Sequence, residues 1–285
     1  MFMPTFLSSV RGDQRGFTLA ELLVTVAILG IVMTAVLTVY MTGNTVGLSG
    51  ENRAEAQQAA RAAMLMEEDL RLIGLGCPPL GCPPPGVAPL AGCPPLAQLQ
   101  IICATPTAVA FWADLTNTST TLTANVNAGA NALNVGAPAG GFTVGDTVYL
   151  INGAQFAQHT VAATGAVTIS VNPAVACPPG AICPPAYPQG AQVGRPRLIT
   201  YSWNPATLTL SKNAGDGTGL QPLATGIQNL SLRYFNASDV EIAPANLAAN
   251  LANIRRIQIS MTAQSAAALN RGTFTLNSTI RPRNL

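Results

Sequence analysis

The sequence RGFTLAE at residues 15–21 begins an apolar run that continues to Tyr40. A helix over residues 17–40 would be roughly 36 Å long at about 1.5 Å per residue. The hydrocarbon core of a bilayer is about 30 Å thick, so this helix is long enough to cross it. Glu21 is the only formally charged residue in the run. The stretch therefore predicts a membrane-spanning helix that carries one buried carboxyl group.

Glu21 needs an explanation, because an ionisable group inside a membrane span costs about 3 kcal/mol on insertion scales. Such a residue is a functional-site hypothesis by default, and its partner must be sought nearby. Glu21 comes four residues after Phe17, which places the two on the same face of a helix, one turn apart. An ordinary anchor has the same length but no reason to keep this carboxylate.

The residues before the span predict its orientation. Arg11 and Arg15 precede it, and no Lys or Arg follows until Arg53, so the N-terminus is expected in the cytoplasm. A secretory signal peptide is the main alternative, but its apolar core has only about 7–15 residues. This run is too long for that reading.

The combination of a polar leader, Gly16, Phe17 and Glu21 resembles the class III leader of type IV prepilins and type II secretion pseudopilins. The resemblance implies that a prepilin peptidase cleaves between Gly16 and Phe17, and that the new N-terminal Phe17 is N-methylated. It also implies that Glu21 meets a free α-amine in the assembled filament. Such pairing makes physical sense, because a buried carboxylate is tolerated when a buried ammonium lies beside it.

The chain is predicted to have an α+β fold, in which a long pilin-type helix with a membrane half and an amphipathic half packs on an antiparallel sheet. Ala56, Ala63, Met66 and Leu70 lie on one stripe of the second helical stretch, which is expected to pack against the chain's own β-domain. The predicted segments are a leader at 1–16, a membrane and filament-core helix at 17–42, an amphipathic helix at 43–76 after a glycine-rich break at 43–50, and an extracytoplasmic β-rich domain at 77–285 with a possible insertion at 116–172.

Alternating apolar residues after position 96 predict short strands joined by turns, which favours an antiparallel sheet. The clearest are residues 108–112, 197–203, 227–235, 256–261 and 273–277.

Six cysteines occur in the β-rich part, and five of them precede a Pro-Pro pair. Their spacings fit a zinc ribbon poorly, because such sites use close Cys-x-x-Cys pairs. An oxidising compartment would favour disulfides instead, and six cysteines permit 15 pairings. We expect at least one bridge between the two Cys-Pro clusters. The disulfide candidates are Cys77, Cys82, Cys93, Cys103, Cys177 and Cys183.

The C-terminal half also resembles known proteins, independently of the leader. The hairpin with Tyr201 and Trp203, the segment 222–234, the segment 253–260 and the final residues 280–285 are similar to minor pilins of the PilW family and to the J-type minor pseudopilins of type II secretion. The Cys-Pro-Pro clusters depart from both, so the roles of that region are not carried over.

No catalytic site is predicted. His159 is the only histidine, lies in a polar segment and is expected at the surface, so no Ser/His/Asp arrangement is supported. Residues 215–219 (GDGTG) follow a hairpin and predict a turn rather than a phosphate loop. The formal net charge of +2 disfavours DNA binding. No metal site, cofactor or small-molecule substrate is expected.

The resulting interpretation is a non-enzymatic minor pilin that supports pilus assembly in adhesion, twitching motility or DNA uptake. Its expected partners are the prepilin peptidase, other major and minor pilins and, before assembly, the inner membrane. The β-domain is expected in the periplasm and then on the pilus at the cell surface. Two alternatives stay open: a J-type pseudopilin of type II secretion, and an adhesin or other binding protein that is carried by the filament or anchored in the membrane.

Overall fold

The computed structural model of the chain describes residues 19–78, 81–82, 99–136, 141–153, 155–172, 187–264 and 273–285, and at 42–55 it describes the backbone alone. The chain divides into two compact units, Met1–Gly50 and Glu51–Leu285. One helix, α1 (Leu19–Arg71), contributes to both of them. The fold is α+β, with this helix followed by antiparallel strands.

The glycine-rich segment at 43–50 is predicted as a break, in the form of a softened helix or a short hinge. The segment is α-helical throughout, so α1 is not interrupted there. Isolated glycines lower helix stability by about 1 kcal/mol each relative to Ala, which long helical flanks can offset. The division between the two units nevertheless falls at the end of this segment.

The second half of α1 packs on the chain's own β-domain, as predicted. Ala59, Met66 and Leu70 are fully buried in the main hydrophobic core. Their spacing follows the helical repeat, so one stripe faces the strands and the opposite side carries exposed residues such as Met64. Glu67 precedes Arg71 by four residues, a spacing that predicts an ion pair along a helix, and the two side chains form this pair.

Within the described residues, fourteen strands form three antiparallel sheets. They are β1 (Ile101–Ala104), β2 (Ala108–Ala113), β3 (Thr120–Thr121), β4 (Ala132–Asn134), β5 (Thr147–Asn152), β6 (Gln155–Thr164), β7 (Thr168–Asn172), β8 (Gln192–Gly194), β9 (Arg197–Asn204), β10 (Thr209–Asn213), β11 (Gln221–Ala224), β12 (Ile227–Phe235), β13 (Arg256–Gln264) and β14 (Thr273–Ile280). Two short 3-10 turns, Pro244–Asn246 and Leu251–Asn253, lie between β12 and β13.

Two of the sheets share the main core with α1. The five-stranded sheet has the order β1-β2-β9-β10-β11, and the three-stranded sheet has the order β12-β13-β14. In β13 every second residue is buried, so Ile257, Ile259 and Met261 lie on one face and enter the core. This alternation is the period-two pattern that predicts the strand from sequence.

The third sheet is inserted between β2 and β9, which are themselves hydrogen-bonded neighbours. It has six strands in the order β3-β8-β5-β6-β7-β4 and a separate hydrophobic core that includes Leu133, Leu150 and Val193. The sequence predicts an insertion at 116–172, and the sheet extends further along the chain to Gly194 because β8 pairs with both β3 and β5.

His159 is expected at the surface, and this expectation is wrong. It lies on β6 opposite Val148 and is only 3% exposed. Its neighbour Gln158 is exposed, and that polar neighbour suggested a solvated segment. Successive side chains of a strand point to opposite faces, so His159 shares the inner face with Val161.

The end of α1 is followed by a close backbone contact. Gly74 and Gly76 both have φ of +81°, a conformation that favours glycine and ends the helix. A Cβ placed on Gly194 of β8 would lie 2.3 Å from the carbonyl oxygen of Gly76. This contact brings the chain after the helix against the inserted sheet.

Candidate functional site

The first turn of α1 contains Glu21, the carboxylate that the sequence singles out. Its side chain is exposed, and its backbone carbonyl accepts a hydrogen bond of 3.0 Å from the hydroxyl of Thr25. Gly16 and Phe17, the residues of the predicted cleavage and methylation site, lie outside the described residues. The roles of all three therefore stay predictions.

The helical segment that follows is apolar on every side. Leu19–Met41 has a mean hydropathy of 2.7, is long enough to cross a membrane, and has none of its surface buried within the chain. Its large apolar side chains are from 51% exposed at Val32 to 77% exposed at Leu19. A helix that is apolar all round needs lipid or other apolar helices around it. The segment is thus suited to a membrane or to packing among other apolar helices.

Three threonines in this segment have hydroxyl groups that form hydrogen bonds within the helix. Thr25, Thr34 and Thr38 donate to backbone carbonyls three or four residues earlier, and the Thr34 hydroxyl lies 2.7 Å from the carbonyl of Gly30. Such bonds allow hydroxyls to enter hydrocarbon without losing a hydrogen bond.

In the Glu51–Leu285 unit, α1 is held to the strands by a buried polar cluster. Asp69 accepts a hydrogen bond of 2.5 Å from Tyr201 on β9, and its carboxylate lies 2.6 Å from the Nζ of Lys212 on β10. Burial, followed by the nearby charge of Asp69, raises the pKa of the Tyr201 phenol, which stays a donor at physiological pH. The cluster could not be predicted from sequence, because its members are far apart along the chain and no local motif connects them.

A second polar contact fixes the same helix to an edge strand. Glu67 accepts a hydrogen bond of 2.7 Å from the hydroxyl of Ser278 on β14. Together with Asp69, it fixes the rotation of the helix about its axis, because the two carboxylates reach different sheets.

The structure describes three of the six cysteines. Cys77 and Cys82 form a disulfide with a Cα–Cα distance of 5.1 Å. Cys103 is also disulfide-bonded. The other candidates, Cys93, Cys177 and Cys183, lie outside the described residues. A bridge between the two Cys-Pro clusters stays a prediction. Because Cys77 and Cys82 are bonded to each other, such a bridge must use Cys93 from the first cluster.

The remaining sequence candidates have structural partners. Gly215, Gly217 and Gly219 all have positive φ, and Asp216 accepts a hydrogen bond of 2.6 Å from the Thr218 hydroxyl, so this segment is a turn. The sequence also raises DNA binding, for which clustered arginines would be the candidates, but Arg256 and Arg281 both contact Asp239. In the described parts of the chain, no group of three or more His, Cys, Asp or Glu residues is arranged to hold a metal ion.

Part of the chain matches the model of a known family. Residues 11–37 match the family model of the prokaryotic N-terminal methylation motif. Neither the curated proteins nor the solved structures give a significant match to the chain. The matched region contains Gly16, Phe17, Glu21 and most of the exposed apolar segment. The motif therefore supports a type IV pilin-like or pseudopilin-like protein that is processed by a prepilin peptidase and assembles with other pilins.

Proposed function

We propose that this chain is a minor pilin of a type IV pilus. The observation that carries the proposal is the methylation motif at residues 11–37, which runs directly into a helix with no buried surface of its own at Leu19–Met41. The helix first anchors the chain in the inner membrane, with its N-terminus in the cytoplasm. The β-rich part is then periplasmic and reaches the cell surface in the assembled pilus.

Processing is proposed to occur between Gly16 and Phe17. Cleavage there removes the leader with Arg11 and Arg15 and keeps the whole apolar helix. The α-amine of Phe17 then lies one helical turn before Glu21 along the chain. In the filament, the carboxylate of Glu21 pairs with such an amine from a neighbouring subunit, and neither charge is left alone in an apolar core.

Mass spectrometry of the N-terminal peptide tests this proposal. The chain is isolated from membranes and from sheared filaments of cells with and without the prepilin peptidase. With the peptidase, the peptide is expected to begin at N-methylated Phe17; without it, the peptide is expected to retain the leader. A mature chain that begins at Met1, or one cut beyond residue 40, contradicts the proposal.

The leader itself offers a matched control. Gly16→Val is expected to block cleavage, because the residue before the cut changes from glycine to a branched side chain. Gly12→Val makes the same change four residues earlier and is expected to leave processing unchanged. Recovery of the processed chain in sheared pili, rather than only in the membrane fraction, separates a pilus subunit from a pseudopilin that functions within a secretion system.

A further inference from the structure

A polar crevice lies where the inserted sheet meets the five-stranded sheet, and neither filament assembly nor membrane anchoring uses it. Its volume is about 470 Å³, within the range of roughly 300–1,000 Å³ that is usual for small-molecule sites. Trp112 and Arg197 line it from β2 and β9, and Gln158 lines it from β6. Both walls belong to the Glu51–Leu285 unit.

Arg195 forms the buried end of the crevice. It is 5% exposed, and its two terminal nitrogens are held by Asp146 at 2.6 Å and by the hydroxyl of Thr116 at 2.8 Å. Thr116 in turn donates to the buried Asp114 at 3.0 Å. The guanidinium is therefore fixed in place, yet its Nε has no protein acceptor. Leaving a buried donor unsatisfied is unfavourable, so such a group in a crevice points to an external acceptor.

Trp112 provides a second donor of the same kind. Its indole is partly exposed and lines the crevice, but its Nε1 is buried and has no protein acceptor. The other tryptophan, Trp203, donates its indole N–H to the carbonyl of Ile227 at 2.8 Å. Trp112 thus presents part of a flat apolar ring to the crevice and keeps, at the edge of that ring, a buried N–H donor without a protein acceptor.

The charges around the crevice cancel. Asp146 lies 2.6 Å from Arg195 and 3.7 Å from Arg197, and Asp216 supplies a second carboxylate in the lining. Two arginines and two aspartates leave no net charge for an ionic ligand to neutralise. A neutral molecule with many hydroxyl groups fits better, because each hydroxyl both accepts and donates hydrogen bonds.

We propose that this crevice binds a neutral carbohydrate, with a sugar ring against Trp112 and its hydroxyls bonded to Gln158, Arg195 and Arg197. The site would give the filament subunit a ligand-binding activity in addition to its structural role. The residues that line it belong to the Glu51–Leu285 unit and not to the apolar segment Leu19–Met41. Carbohydrate binding does not depend on processing at Gly16, so either proposal can be refuted without refuting the other.

Tryptophan fluorescence of the full processed chain tests the proposal. The chain contains two tryptophans, so Trp203→Phe leaves Trp112 as the only reporter. The chain is kept in a detergent without a sugar headgroup and titrated with glucose, galactose, N-acetylglucosamine and maltose to about 100 mM, well above a millimolar Kd. Sorbitol at the same concentrations controls for viscosity. At least one sugar is expected to give a saturable change, and saturation-transfer NMR on the unmodified chain is expected to show the same sugar bound.

Two matched variants of strand β6 test whether the sugar binds in this crevice. Gln158 and Gln155 are both exposed on β6, but only Gln158 lines the crevice. Gln158→Ala is expected to weaken binding by about threefold to tenfold through the loss of one or two hydrogen bonds, and Gln155→Ala to leave it unchanged. Three results would overturn the proposal: no saturable response to any of the four sugars, equal effects of the two variants, or saturable binding of acetate or inorganic phosphate in place of the sugars.

Discussion

The phenol of Tyr201 on β9 donates a 2.5 Å hydrogen bond to the carboxylate of Asp69 on α1, which joins residues 132 apart in sequence. Tyr201 has no exposed surface, and Asp69 is 7% exposed. Lys212 lies 2.6 Å from the same carboxylate. One acidic side chain of the helix is therefore shared by two strands of the five-stranded sheet.

Asp69→Ala is expected to destabilise the chain by about 2–4 kcal/mol, because it leaves a buried phenol without an acceptor and a half-buried ammonium without its counter-ion. Urea unfolding measures the change. Glu68→Ala removes the exposed carboxylate next to it and is expected to cost less than about 0.5 kcal/mol. In the double variant with Tyr201→Phe, the two losses are expected to be less than additive. Full additivity would mean that the two groups do not interact.

Gly194→Ala tests the backbone contact at the end of the helix. The added Cβ would lie 2.3 Å from the carbonyl oxygen of Gly76, and backbone atoms cannot move aside as a flexible side chain can. We expect a loss of stability of about 1–3 kcal/mol or more. Gly136→Ala is the matched control, because its Cβ would come no closer than 3.7 Å to any neighbour. Equal melting temperatures of the two variants would show that the contact is not required.

The strands were largely predictable, and the connections between them were not. The alternating residues of β12 and β13 identify both strands from sequence, because one face of each is buried in the core. In contrast, β8 has only three residues and pairs with β3 and β5, which are distant along the chain. A short strand has too few residues to show a period, so the end of the insertion was predicted too early.

The burial of polar residues in the interior could not be predicted from the local sequence either. His159 and Arg195 are buried because strands from separate parts of the chain enclose them, and their immediate sequence neighbours carry no sign of this. The predicted helix stripe, the turn at residues 215–219 and the pair Glu67–Arg71 depend on residues within one or two turns of each other. Those features could therefore be inferred correctly.

The ion pair of Arg195 with Asp146 predicts a specific acid sensitivity. Burial alone would raise the pKa of Asp146, but hydrogen bonds from Arg195 and Thr143 outweigh it, and the pKa lies below its ordinary value. A lowered folded-state pKa means that the stabilisation is present above the unfolded pKa of about 3.9 and is lost as the pH falls through the folded value. Asp146→Asn is expected to be less stable than the wild type at pH 7, and the difference should shrink below about pH 4.

Melting temperatures between pH 7 and about pH 2 give the comparison for Asp146. Glu68→Gln, which removes an exposed carboxylate, controls for the general effect of losing one acidic group. A difference between Asp146→Asn and wild type that stays constant down to the lowest pH would show that the carboxylate is not held in its charged form by the fold.

The Cys77–Cys82 bridge reduces the number of possible disulfide pairings. The four other cysteines permit three pairings in place of the original 15. Two of these pairings join Cys93 to Cys177 or Cys183, and both give a bridge between the two Cys-Pro clusters. Proteolysis without reduction, followed by mass spectrometry of the linked peptides, is expected to recover one of these two. Recovery of Cys93 linked to Cys103 would refute the expected bridge between clusters.

Glu21→Ala tests the step from membrane anchor to filament subunit. The apolar segment Leu19–Met41 gains hydrophobicity in this variant, so membrane insertion should be at least as favourable as in the wild type. Incorporation into sheared filaments is expected to fall by about tenfold or more, because the α-amine of a neighbouring subunit then lacks its buried partner. Thr34→Val alters a hydroxyl that is already bonded within the helix, to Gly30 at 2.7 Å, and should leave incorporation unchanged. Quantitative immunoblots of membrane and filament fractions distinguish the outcomes, and normal incorporation of Glu21→Ala would show that this carboxylate has no role in assembly.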